Sequence, residues 1–211
     1  MRNLLNSWCS LLLLLLMSSS SLGVNAQSTK TYERDWRTDR VKVKIISYNI
    51  MEGFGRGEDK DRMARFTAWV KEQSPDVLAL NELCGFTEAK LKALAASYGH
   101  PYVAIVKEKG YPVGLTSKTP LKVIDRKLEG YGHGLLHCKV LDMDFLVTHL
   151  NPSDRLKRKQ EADNIVNYIH ENQLTNCLLM GDMNAHSPFD ASWESEHSED
   201  YAVISTFMAA S

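Results

Sequence analysis

Apolar positions in this chain follow two rhythms, and the switches between them set out the elements before any chemistry is considered. Val41, Val43 and Ile45 alternate with lysines, which predicts a strand over 41–49 with one buried face, ending in Ser47-Tyr48-Asn49. After a glycine-containing loop, Met63, Phe66 and Val70 recur at helical spacing until Ser74-Pro75 ends the helix. The apolar run 77–80 predicts a strand that delivers Asn81 and Glu82. Thr87 is placed to cap a helix with Leu91, Leu94, Ala95 and Tyr98 on its inner side and Gly99 as its stop. Strand-like segments follow at 102–106, 113–117, 121–125 and 135–140, and a tight connection over 141–144 leads into another at 145–149, a run of antiparallel hairpins. Ser153 or Asp154 opens a helix whose Ala162, Ile165, Val166 and Ile169 form an i, i+3, i+4, i+7 stripe. The apolar residues 177–180 then run into a turn glycine, Gly181, and Ser187-Pro188 suits one more helical turn. Helices alternating with mixed strand runs this apolar predict an α/β fold, sheet packed on sheet with helices outside.

Composition agrees with a single soluble globular domain: 211 residues, 44% hydrophobic and 24% charged. The first 26 residues stand apart. Arg2, the unbroken leucines 11–16, a serine cluster and Val24-Asn25-Ala26 read as a secretory signal peptide cleaved before Gln27, so a secreted or periplasmic location is expected. The apolar stretch is short for a span of about 30 Å of hydrocarbon, which disfavours an uncleaved anchor. Residues 27–40 are a polar tether, and 41–211 form the domain. Cleavage removes Arg2 and leaves 24 basic against 26 acidic residues, a net of −2, which weakens tight non-specific binding to long nucleic acid. Cys84, Cys138 and Cys177 cannot all pair and read as small buried hydrophobes, while no Cys or His pair has zinc-ligand spacing.

Candidate chemistry gathers at the ends of the strands. Asp182 and Asn184 are two apart, so on an extended chain they face one cleft, although Asp-x-Asn by itself also suits an Asx turn closing a strand. Asn49, Glu82, His149 and Asn151 occupy other strand ends, in the contexts Ser-Tyr-Asn, Asn-Glu-Leu and Thr-His-Leu-Asn-Pro, ahead of Gly-Asp-Met-Asn. This order resembles the endonuclease/exonuclease/phosphatase superfamily of deoxyribonuclease I-like enzymes over roughly residues 41–190. The resemblance implies a four-layer α/β sandwich, two mixed β-sheets face to face with helices outside. It also implies phosphoester hydrolysis with Mg²⁺ or Mn²⁺. Glu82 matches the metal carboxylate and Asn49 the asparagine near the metal. His149 matches the phosphate contact, and Asp182 and Asn184 match the pair that orients water and binds the phosphoryl oxygen. His133, in Gly132-His133-Gly134, lies where relatives place a basic phosphate contact, and a glycine-flanked turn histidine is the alternative. Asn151 joins it as a substrate-binding candidate. The basic run 155–159 is either an anion contact or a solvated helix face.

The resemblance departs at the C-terminus, where relatives carry a late Asp-His pair on a further strand. Ser195-Glu196-His197 sits in a polar stretch too close to Asn184 to replace it. The apolar run 201–208 suggests a core whose last strands are missing, and hence a fragment. The substrate stays open among nucleic acid, a phospholipid headgroup and a sugar or inositol phosphate. No protein partner is implied and a monomer is expected. A non-catalytic binding domain of the same fold is the competing reading.

Overall fold

The computed structural model describes residues 42–190 and 201–210. The signal-peptide expectation for 1–26, the tether and Ser195-Glu196-His197 lie outside those residues. The first sheet has the order β1-β2-β4-β3, from β1 (Ile45–Asn49), β2 (Val77–Asn81), β3 (Tyr102–Ile105) and β4 (Gly114–Ser117). The second has the order β5-β6-β7-β8, from β5 (Leu121–Lys127), β6 (Leu135–Val140), β7 (Met143–His149) and β8 (Cys177–Asp182). β1 and β2 run parallel, as do β7 and β8, and the other pairs are antiparallel.

Strand alternation explains the layers. Val77 and Ala79 of β2 pack against Leu136, Cys138, Phe145 and Val147 of the second sheet. Leu78 and Leu80 turn the other way, onto Phe66 and Val70 of α2 (Lys60–Gln73) and Leu91 and Leu94 of α3 (Glu88–Ser97). On the far side, Leu135 and Leu146 meet Ala162 and Ile165 of α4 (Arg155–Glu171). The result is the four-layer sandwich, with both faces of each central strand covered. Caps fall where the sequence places them: Thr87 Oγ1 accepts from Lys90 N (3.2 Å) and Asp154 Oδ1 from Lys157 N (3.1 Å).

Several elements differ from the sequence expectation. β1 pairs only from Ile45, because the Lys44 N–H is taken by the Asp76 carboxylate (2.8 Å) rather than by a ladder partner. β5 runs on to Lys127 through an irregularity between Val123 and Asp125 that leaves Ile124 exposed. The run 201–208 lies largely in helix α5 (Ala202–Ala210), and Val203, Ile204 and Phe207 give it one apolar face packed in the cluster around α4. The loop after Asn49 is a left-handed helical turn, α1 (Met51–Arg56), in which φ stays between 50° and 62° through six residues. Left-handed helix costs about 1–2 kcal/mol per L-residue, so neighbours must hold it. Phe54 is buried against Phe66 with ring centroids 5.2 Å apart, and Arg62 Nη2 donates to Met51 O (2.9 Å). Gly53 is required as well, since a Cβ there would sit 2.1 Å from Cys84 O. Cys84, Cys138 and Cys177 are free thiols, the first two buried and the third half-buried.

Candidate active site

The two parallel pairs end side by side, with Asn49 opposite Asn81 on β1 and β2 and His149 opposite Asp182 on β7 and β8. Counting by twos along each strand, these four side chains continue the rows that fill the space between the sheets, so they emerge where that core opens. The sheets are tied together there by Asn81 Nδ2, which donates across to Thr148 O (2.7 Å), and within each sheet the chain leaving the strand end stays paired, Ile50 N donating to Asn81 O and Leu150 N to Asp182 O.

Asn49 is central. Its Nδ2 donates to both Glu82 Oε1 (2.9 Å) and Asp182 Oδ2 (3.0 Å), while the Met51 N–H donates to its Oδ1 (2.8 Å) and fixes which way the amide faces. Asn49 therefore presents nitrogen to the carboxylates rather than an oxygen ligand. Glu82 sits at φ 61°, which turns it off the line of β2, and its Oε2 accepts the Glu52 N–H (2.7 Å) from the left-handed turn. Glu52 in turn accepts from Tyr111 OH (3.1 Å). The strained turn thus places one amide on the key carboxylate.

Asp182 and Asn184 share a cavity of about 580 Å³ with Asn49 and Asn81. The strand pleat does not bring them there together. β8 stops at Asp182, and an Asx turn follows in which the Asn184 N–H donates to Asp182 Oδ1 (3.0 Å) with Asn184 at φ 47°. Asn184 Nδ2 donates to Leu150 O (2.8 Å), which spends one of its two hydrogens on the loop after β7. Gly181, read from sequence as a turn residue, lies inside β8 opposite Thr148.

His149 is 4% exposed, and its Nδ1 is buried with no hydrogen-bond partner among the described residues. His133 stacks on it at 4.6 Å between centroids and 33° between planes, and Tyr111 lies 5.4 Å beyond His133. Burial pushes the His133 imidazole down to about 4, aided by His149 and Lys107 nearby, and burial also lowers His149 against the pull of Asp182 and Glu82. Both rings are neutral at pH 7. In the unfolded chain they titrate near 6.5 and bind more protons than the folded state below that pH. His100, buried and lowered the same way, adds to the effect. The melting temperature is therefore expected to fall as pH drops from about 6.5 toward 4; a flat profile by thermal denaturation in that window contradicts it.

Asn151 serves its own loop, since its Oδ1 accepts from Ser153 N (3.0 Å) and Asp154 N (2.8 Å). Sequence reasoning missed the residue that holds both loops. Glu161, 4% exposed on α4, accepts the Gly132 N–H through Oε1 and the Asn151 N–H through Oε2, each at 2.7 Å. A carboxylate on a predicted polar helix face carries no signal of this kind; only the packing of α4 reveals it. Within the basic run, Arg158 turns inward, donating to Asn151 O (2.7 Å), while Leu156 is 84% exposed. Glu161→Ala orphans two amide donors, each costing about 1–3 kcal/mol if it stays buried. Glu161→Gln keeps one acceptor and is expected to recover part of that stability in chemical denaturation; equal loss in both variants shows that the carboxylate does not latch the loops.

Acid, amide and imidazole groups thus gather at the open end of two packed mixed sheets, an α/β sandwich. The sequence matches the Endonuclease/Exonuclease/phosphatase family over residues 46–200, and the chain belongs to that family. Among solved structures, an AP endonuclease from Archaeoglobus fulgidus superposes with a TM-score of 0.58 at 18% identity, over 80% of this chain and 70% of that one. D. rerio TDP2 humanized by 14 mutations gives 0.53 at 17%, over 72% and 66%. A beta hairpin deletion mutant of beta toxin from Staphylococcus aureus gives 0.54 at 12%, over 79% and 73%. These similarities are of fold. The chain spans 66% of the D. rerio protein's length and 48% of that of TDP2 from C. elegans. Comparison with curated protein sequences gives no match.

Proposed function

We propose that the chain hydrolyses a phosphoester at the open end of β1, β2, β7 and β8, assisted by Mg²⁺ or Mn²⁺ held at Glu82 and Asp182. One observation carries this reading: a single amide nitrogen, Asn49 Nδ2, bonds both carboxylates, so two negative charges lie side by side in a part-buried place. Among the described residues no three His, Cys, Asp or Glu side chains form a metal cluster. Two carboxylates are nevertheless a donor set that suits a hard, largely hydrated cation, and their mutual repulsion favours one. When bound, such a cation offsets charge on the phosphoryl group and acidifies water.

The chain's own groups account for the rest. Asp182, held by Asn49 and by the Asn184 N–H, takes the proton from the attacking water. The water oxygen bonds phosphorus, the ester P–O bond breaks, and the departing oxygen is protonated by solvent. His149, neutral through burial, is the proposed phosphate contact, and the His133 ring stacked on it keeps it in place. Asn184, with one amide hydrogen left, and Asn151 line the substrate side without adding negative charge. An exported location is part of the proposal and rests on the leucine-rich start. Mass spectrometry of secreted material should find an N-terminus at Gln27.

Release of nitrophenol from bis-p-nitrophenyl phosphate is the direct test. Turnover is expected with Mg²⁺ or Mn²⁺ and not with EDTA, and Glu82→Gln should demand more metal. A cleanly folded protein that releases none with either metal is a binding domain.

A further inference from the structure

A second cavity, of about 360 Å³, adjoins the first and shares Tyr48 and Asn49 with it. Its wall is one face of α2, where Arg62, Arg65, Phe66 and Trp69 fall at i, i+3, i+4 and i+7. Tyr48, 42% exposed at the end of β1, completes an aromatic cluster, its ring centroid 5.4 Å from those of both Phe66 and Trp69. Arg62 is committed to Asp59 (3.4 Å) and to Met51 O. Arg65 is exposed on the same face and has no carboxylate partner among the described residues. Aromatic surface beside an unpaired guanidinium accepts a flat ring carried with an anion, since rings stack on it and the fork bonds phosphate. A cavity of this size holds one such group.

Building on the phosphoester reading, we propose that this cavity is a substrate subsite for a nucleoside phosphate, the base stacking on Tyr48 and Trp69 and the phosphate meeting Arg65. A sugar or inositol phosphate leaves the rings unused, and a choline-type headgroup brings a cation toward Arg65. The same chemistry is found in a free nucleotide and in a single strand.

The test is a titration of the full chain in EDTA, where no turnover is expected, with AMP and with ribose 5-phosphate. AMP should bind at least about tenfold tighter, the worth of one stacked ring. Arg65→Glu should weaken AMP at least about tenfold, and Trp69→Leu, its fold checked by melting, should bring AMP down to the level of ribose 5-phosphate. Equal binding of AMP and ribose 5-phosphate, or AMP binding untouched by Arg65→Glu, overturns the subsite. Tetrathymidylate titrated beside TMP separates the sources: tighter binding supports a strand, equal binding supports the free nucleotide, and binding of neither overturns both. Nitrophenol release is measured separately, so a protein that hydrolyses the diester without preferring AMP loses the subsite alone, and one that prefers AMP without hydrolysis loses the reaction alone.

Discussion

Asp182→Asn is expected to lower kcat for bis-p-nitrophenyl phosphate by about 10²–10⁴-fold, the usual contribution of a general base, without unfolding the protein. The amide is nearly isosteric and its oxygen can still accept the Asn184 N–H. What disappears is the basic oxygen facing Asn49 and one of two adjacent negative charges. Stability provides a second readout. Without divalent metal the variant sheds the repulsion with Glu82 but sets its own amide donor against the Asn49 donor, so the parent and the variant are compared by their response to metal. Added Mg²⁺ should stabilise the parent more than the variant, because only a ligand bound to the native state raises its melting point. A variant with undiminished kcat moves the base elsewhere, with His149 and His133 the nearest alternatives.

The largest effect on folding is expected at Gly181. It sits at φ 136°, and a Cβ there would lie 1.9 Å from Thr148 O. That oxygen belongs to the paired neighbour on β7, in the pair directly before His149 and Asp182, so a shift of either strand there disturbs the register that sets His149 opposite Asp182. Close backbone approach and a φ unsuited to L side chains act together, and Gly181→Ala should destabilise by at least about 3 kcal/mol. Chemical denaturation with and without Mg²⁺ measures it. A loss below about 1 kcal/mol means that β8 tolerates a shift there, and the tight β7–β8 seam is then not what positions Asp182.

Much of this was readable along the chain because burial imposes periods. The runs 77–80 and 135–140 lie where strands form, and the caps at Thr87 and Asp154 are local hydrogen bonds that need no distant partner. Asn49, Glu82, His149 and Asp182 were legible because each follows an apolar run, and a polar side chain at the end of a buried strand must face an opening. The same local logic misjudged the Asp182 to Asn184 step. A period of two holds only while the strand lasts, and β8 ends at Asp182, where the Asx turn to Asn184 begins.

Other features depend on residues far apart in sequence. Asn49 and Asp182 are 133 positions apart, and their hydrogen bond exists because the parallel pairs end together. Glu161 looks like any helix carboxylate until α4 packs it under the Gly132 and Asn151 amides. The left-handed turn after Asn49 shows only two glycines in sequence, since its four L-residues are held at positive φ by Phe66, Arg62 and Glu82 from other elements. Periodicity and capping are one-dimensional, so the sequence by itself determined the elements and which residues stand at their ends. Which of those ends share a cleft, which way the Asn49 amide faces and why His133 and His149 stay uncharged were decided by tertiary structure, because hydrogen bonding and desolvation depend on what lies across space.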